Sequence, residues 1–280
     1  MPDPRTSELP VWKIHAERAL LLGWGRALLL QLAHPKVAAG VAQHSRFYRQ
    51  RYGGLRRLRS TLGAMLALSY APEQVPAVAR RINRIHDRVN GRLAEGTAHI
   101  PAGSAYSAHD PELLRWVHAT LIDSFLVTYE RFIGPLTAEE QDRYCADSRA
   151  MEQVVGLPPG FLPGSVAELR AYIDGMFASG EIAVTGTARM LARPILWPDA
   201  PLVLRPFGAV TRLATLGLLP PDIRVGYGLR WTSGQAYLLD ALAWLVRHGL
   251  PLVPGPLRYW RIARRADPEA AQPLLILESS

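Results

Sequence analysis

A chain of 280 residues with 49% hydrophobic and 20% charged residues can bury a sizeable core, which excludes an intrinsically disordered protein. Its net charge of +8 comes almost wholly from arginine, since only Lys13 and Lys36 are lysines. The arginines are scattered through apolar-periodic segments without interleaved aromatics or a recognised module, so no nucleic-acid partner is expected. The single cysteine, Cys145, excludes an internal disulfide and a cysteine-based metal cluster.

Nearly all apolar runs have helical spacing and alternation is hard to find, so the class is all-α. No repeat or compositional break divides the chain, and one domain over residues 1–280 is expected, with a surface tail from about Asp267. No segment supplies about 18–20 uninterrupted apolar residues. Asp240 and Arg247 interrupt the best candidate, residues 236–252. No convincing cleavage site follows the run at residues 19–33, which Arg26 breaks, so a cytoplasmic protein is expected, with a peripheral membrane contact left open.

In chain order, a leucine-rich first helix is expected over residues 12–33, with Gly23 and Gly25 allowing another backbone to approach closely. Pro35 disfavours helical geometry at His34, so a second helix begins there. Its Ala38, Ala39, Gly40 and Ala42 permit tight packing against a neighbour or a flat ligand. His34 at the break and His44 further on each read as a local cap or as a ligand contact. A third helix covers 55–69, and a fourth starts at Tyr70-Ala71-Pro72-Glu73 and runs to about Glu95. Val75, Val78, Ile82, Ile85, Val89 and Leu93 form the stripe of that helix, with His86 at its edge and Arg80, Arg84 and Arg88 opposite. A loop over 96–108 follows.

The most marked helix comes next. Asp110 can cap its first turn, Pro111 suits the first helical position, and Glu112 meets the positive end of the dipole, while Gly134-Pro135 ends it. Leu114, His118, Leu121, Ile122, Phe125 and Tyr129 recur at spacings of three and four, which points His118 into the core. A buried imidazole with an unpaired nitrogen costs on the order of 1–3 kcal/mol. His118 is therefore either hydrogen-bonded in the core or a ligand.

Beyond it, Thr137 opens a helix to about Val155, residues 156–164 form a rigid break, and Ser165 with Glu168 makes a capping box for a helix over 167–180. Further helices are expected over 181–191, 207–218, 221–248 and 258–266, with a proline-rich crossing over 194–206. There is no glycine-rich phosphate loop after a strand, no Gly-x-Ser-x-Gly, no His-Glu-x-x-His and no Glu-x-x-His pair for a di-iron site. What stands out is a set of histidines on adjacent helices.

The stretches LLLQLAHPKVAAGVAQHS, RINRIHDRVNG, YSAHDPELLRWVHATLIDS and VVGLPPGFLPGSVAELRAY carry a resemblance across residues 12–172. In that order the chain resembles the MpaB-type and rubber-oxygenase (latex clearing protein) family of haem b oxygenases. Trp116-Val117-His118 after Asp110-Pro111-Glu112 is its most specific element. The resemblance implies an all-α fold with a b-type haem between helices and His118 as the proximal iron ligand. It places His86 near the distal lysine of the rubber oxygenases, where a histidine would either ligate iron or hydrogen-bond dioxygen. It makes Arg84 and Arg88 candidates for the haem propionates and His34 a candidate for lining the pocket. The implied activity is oxidation of a small apolar, isoprenoid-like substrate by dioxygen, by cleavage, hydroxylation or dehydrogenation, with the electron donor unidentified. One alternative is a bis-histidine haem sensor or electron-transfer protein. Another has no haem, with structural histidines in a basic helical partner of an anionic surface.

Overall fold

The computed structural model describes residues 9–266 apart from 46, 47, 49, 51 and 200, and over these the chain is all-α with one two-stranded ribbon. The expected tail from Asp267 lies outside the described residues. The helix expected over 12–33 is instead three pieces: α1 (Pro10–Ala16), a 3-10 stretch (Arg18–Gly23) and α2 (Trp24–Leu32). The break falls at Glu17, which is extended at φ −75° and ψ 120°. Its backbone bridges to Tyr259, and Arg258 Nε donates to its two carboxylate oxygens at 2.9 and 3.1 Å. A buried carboxylate held by an arginine from the far end of the chain leaves no trace in local periodicity.

Helices α3 (Pro35–His44), α4 (Gly53–Tyr70) and α5 (Val75–His86) follow. α5 stops at His86 rather than near Glu95 because the next residues enter a hairpin of β1 (Asn90–Arg92) and β2 (Ala105–Ser107). The Leu93 N–H donates to Ser104 O at 2.9 Å, and Leu93 packs with Ala39, Ile100, Tyr106 and Leu113. The positions read as the end of a helical stripe and the start of a loop thus make a small sheet with its own apolar cluster.

The expected central helix is α6 (Pro111–Phe132), capped by Asp110 Oδ1, which accepts from Glu112 N–H at 3.0 Å. It is buried on nearly every side, a property of the bundle's centre and not of an amphipathic surface helix. Thr120, Ser124 and Thr128 form a row at spacing four, each donating its hydroxyl to the carbonyl one turn back at 2.8, 2.6 and 2.6 Å. With their hydroxyl protons bonded within the helix, they let the 3-10 stretch press against α6. A Cβ on Gly23 would lie 1.8 Å from Thr128 Oγ1, so that position requires glycine. Arg26 is 6% exposed and clamps three elements, ion-pairing with Asp123 at 2.7 Å and donating to Ser124 Oγ at 2.7 Å and Leu218 O at 2.8 Å.

The remaining helices are α7 (Ala138–Ser148), α8 (Met151–Val155), α9 (Val166–Ala178), α10 (Gly186–Leu196), α11 (Arg205–Leu218), α12 (Pro221–Gly226), α13 (Ser233–Gly249), α14 (Gly255–Arg258) and α15 (Arg261–Arg265). Both expected capping residues, Thr137 and Ser165, accept from the N–H three residues on, at 3.1 and 3.2 Å. The helix expected to reach Val155 divides at residues 149–150, where Arg149 Nε turns to Leu162 O at 2.8 Å. That expected over 221–248 divides after Gly228, whose φ of +70° suits glycine, and restarts with a Thr232/Gln235 capping box. Among the described residues no helix is long and apolar enough to cross a membrane.

Candidate active site

A cavity of about 400 Å³ opens beside the middle of α6, walled by α1, α2, α4, α5 and the α7–α8 turn. Its lining is mainly apolar, including Trp24, Leu28, Met65, Leu68, Leu121 and Val154, and among it stand His15, His86, His118, Arg57 and Asp147. Such a wall with few polar groups suits a small organic ligand. Thr61, Ala64 and Ile82 border this cavity and also an outer groove of about 590 Å³ along α4 and α5.

His118 is 8% exposed and makes no hydrogen bond to any described residue. Burial lowers its pKa to about 4, so at neutral pH the ring is uncharged and a nitrogen lone pair is available. His15, which the sequence reading passed over, is the contrasting case. Its Nδ1 lies 2.8 Å from Ser69 Oγ and its Nε2 2.9 Å from Tyr144 Oη. Burial, then the neighbouring His118, lowers its pKa to about 4. It is the satisfied core histidine that His118 is not. The signal that could have found it is its spacing of three from Trp12, which places it on a buried face.

His86, at the last position of α5, lines the cavity with its Nδ1 buried and unpartnered. Its ring stands edge-on to His109, centroids 5.7 Å apart, and His109 Nε2 lies 2.8 Å from Asp87 Oδ1. Burial and His109 lower the pKa of His86 against the opposing pull of Asp87. Asp147 Oδ2 is likewise buried without a partner, and burial raises its pKa against Arg143. No sequence pattern marks Asp147, because only the turn between α7 and α8 brings it to the cavity.

The other expected site residues lie elsewhere. His34 is 2% exposed but outside the cavity, and its Nδ1 accepts from Lys36 N–H at 3.2 Å, so it caps α3. Burial first, then Lys36, lowers its pKa to about 4. Arg84 is exposed on the outer side of α5, and Arg88 lies beyond the helix end, also exposed. Neither lines the cavity, whose arginine is Arg57 from α4, donating to Ser45 Oγ at 2.8 Å. Among the described residues no group of three or more His, Cys, Asp or Glu side chains could hold a bare metal ion.

His15, His34 and His118 bind protons more weakly in the folded chain than at the ordinary 6.5. As pH falls through 6.5 the unfolded chain takes up protons that the folded chain refuses, so stability falls until about pH 4. Each group contributes a loss on the order of 3 kcal/mol. Urea midpoints at neutral pH and near pH 5.5 are expected to differ clearly. A flat profile there, above the main carboxylate range, would refute buried neutral histidines.

The all-α bundle thus holds a largely apolar cavity lined by three histidines, which suits a small organic ligand. Residues 12–248 match the family described as ER-bound oxygenase mpaB/B′/Rubber oxygenase, catalytic domain, and the chain belongs to that family. It is thus an enzyme of an oxygenase class, and membership extends beyond the residues 12–172 that carried the resemblance. The chain is similar to uncharacterized protein Mb2261 of Mycobacterium bovis and uncharacterized protein Rv2237 of Mycobacterium tuberculosis. Each is 26% identical over 238 residues, covering 81% of this chain and 87% of the relative. No solved structure matches it significantly.

Proposed function

We propose that the protein is a haem b-dependent oxygenase that uses dioxygen on a small apolar substrate, with His118 as the iron ligand. The observation that carries this reading is one side chain: a neutral, buried imidazole without a hydrogen-bond partner, on the helix that borders an apolar cavity. His118 lines that cavity, so its lone pair is open to a ligand bound there. The donor set fits a prosthetic group that needs one or two imidazoles and apolar walls. Bound there, haem would supply redox-active iron for dioxygen chemistry.

The chain's own groups have definite parts in this reading. His118 offers its lone pair and fixes the position of the cofactor. His86, neutral at its buried Nδ1, can hold a proton at the cavity wall, with His109 and Asp87 behind it on the exposed side. Leu28, Met65, Leu68 and Leu121 exclude water and present a surface for hydrocarbon. Arg57 is the arginine placed to pair with a carboxylate, in the role first given to Arg84 and Arg88.

The test is the visible spectrum of the purified protein as isolated, after reduction and after carbon monoxide. A Soret band that shifts promptly with carbon monoxide supports the oxygenase. A haem spectrum indifferent to carbon monoxide would place both His86 and His118 on the iron and favour a sensor or electron carrier. No Soret band even after haemin is supplied would overturn the haem reading.

A further inference from the structure

Between α10 and α11 the chain presents apolar side chains to solvent in a way its core does not require. Trp197 is 54% exposed, Leu202 75%, Val203 82%, Leu204 41% and Phe207 49%. Pro198 lies near Gly208, where an added side chain would meet it at 3.9 Å. The apolar residues lie within one short stretch of chain, unlike the singly scattered residues that need no explanation.

The ionic groups along this stretch are mainly cationic. Residues 189–212 include Arg189, Arg193, Arg205 and Arg212 against Asp199 alone. Arg189 and Arg193 line a groove of about 620 Å³ together with Trp197 and Tyr227. Arg189 spends only its Nε, on Gly226 O at 2.9 Å. Arg212 lies over the Trp197 ring at 5.6 Å, which draws a further cation to the same place. The Arg193 and Arg205 side chains have neither hydrogen bond nor ion pair with any described residue, although such pairing is available to arginines elsewhere in the fold.

We propose that Trp197, Leu202, Val203, Leu204, Phe207 and the flanking arginines are a docking surface for an anionic lipid bilayer. The Leu202, Val203, Leu204 and Phe207 side chains would enter the acyl boundary, Trp197 would sit at headgroup level, and the arginines would meet the lipid phosphates. The charge argues against a second copy of the chain as the occupant. Apposing two such surfaces would bring four arginines on each side together in a protein whose net charge is already +8. The proposal does not depend on the cofactor assigned to the cavity.

Co-sedimentation of the full chain with phosphatidylcholine vesicles, with and without phosphatidylglycerol, tests it. Binding is expected only to the anionic vesicles and is expected to weaken with salt. A Leu202→Asp/Val203→Asp variant and an Arg193→Glu/Arg205→Glu variant should each lower the partition coefficient about tenfold or more. All four side chains are exposed, and unchanged melting of the variants confirms that the fold persists. No binding to anionic vesicles, or binding that both variants retain, would overturn the proposal. A dimer on size exclusion that Leu202→Asp/Val203→Asp converts to monomer, without vesicle binding, would assign the surface to a second copy instead.

Discussion

His118→Ala is expected to yield protein that carries no stoichiometric haem and does not recover it from haemin, while its apoprotein melts close to the unsubstituted one. The two halves of this result come from one feature of the site. His118 has no hydrogen bond to any described residue to lose, and it borders an existing cavity, so truncation costs only about 1–2 kcal/mol. His15→Ala is the control. It strands Ser69 and Tyr144, whose hydroxyls lie 2.8 and 2.9 Å from the ring. Leaving them unpaired costs on the order of 1–3 kcal/mol for each group, but on the proposed reading haemin binding should persist. Absorbance titration with haemin and thermal melting of the two variants separate cofactor binding from folding. A His118→Ala protein with full haem and an unchanged spectrum would remove the central assignment.

Arg26→Met should cause a large loss of stability in the bundle. The guanidinium holds Asp123 at 2.7 Å, Ser124 Oγ at 2.7 Å and Leu218 O at 2.8 Å, tying α2 to both α6 and α11. Methionine fills similar space but leaves a carboxylate and a carbonyl without their donor. Removing one partner of a buried pair costs about 3–5 kcal/mol. For a chain of this size that is a melting temperature lower by roughly 10 °C. Lysine should recover little, because one ammonium cannot reproduce the planar fork that reaches three acceptors. A loss below about 1 kcal/mol in urea unfolding would mean that the clamp is incidental.

The parts of the fold visible in the sequence are those set by neighbours along the chain. Asp110, Pro111 and the Gly134-Pro135 stop define α6 through local capping geometry, and the spacing of His118 among leucines and aromatics marks its burial. The break at Glu17 was hidden because its cause is Arg258, and the end of α5 was hidden because its cause is strand pairing with residues 105–107. The site divides in the same way. His86 and His118 stand out on their own helices, and the fold brings both to one cavity. Asp147 and Arg57 become site residues only through packing. His34 lies outside the cavity lining and caps the helix that Pro35 begins.

Thr61, Ala64 and Ile82 line both the cavity and the outer groove, so the two spaces share a border of α4 and α5 side chains. α5, which supplies Ile82, has no fully buried residue to anchor it deeply. Traffic across such a border would be governed by rotamer changes, which run on picosecond to nanosecond scales, and not by slower helix displacement.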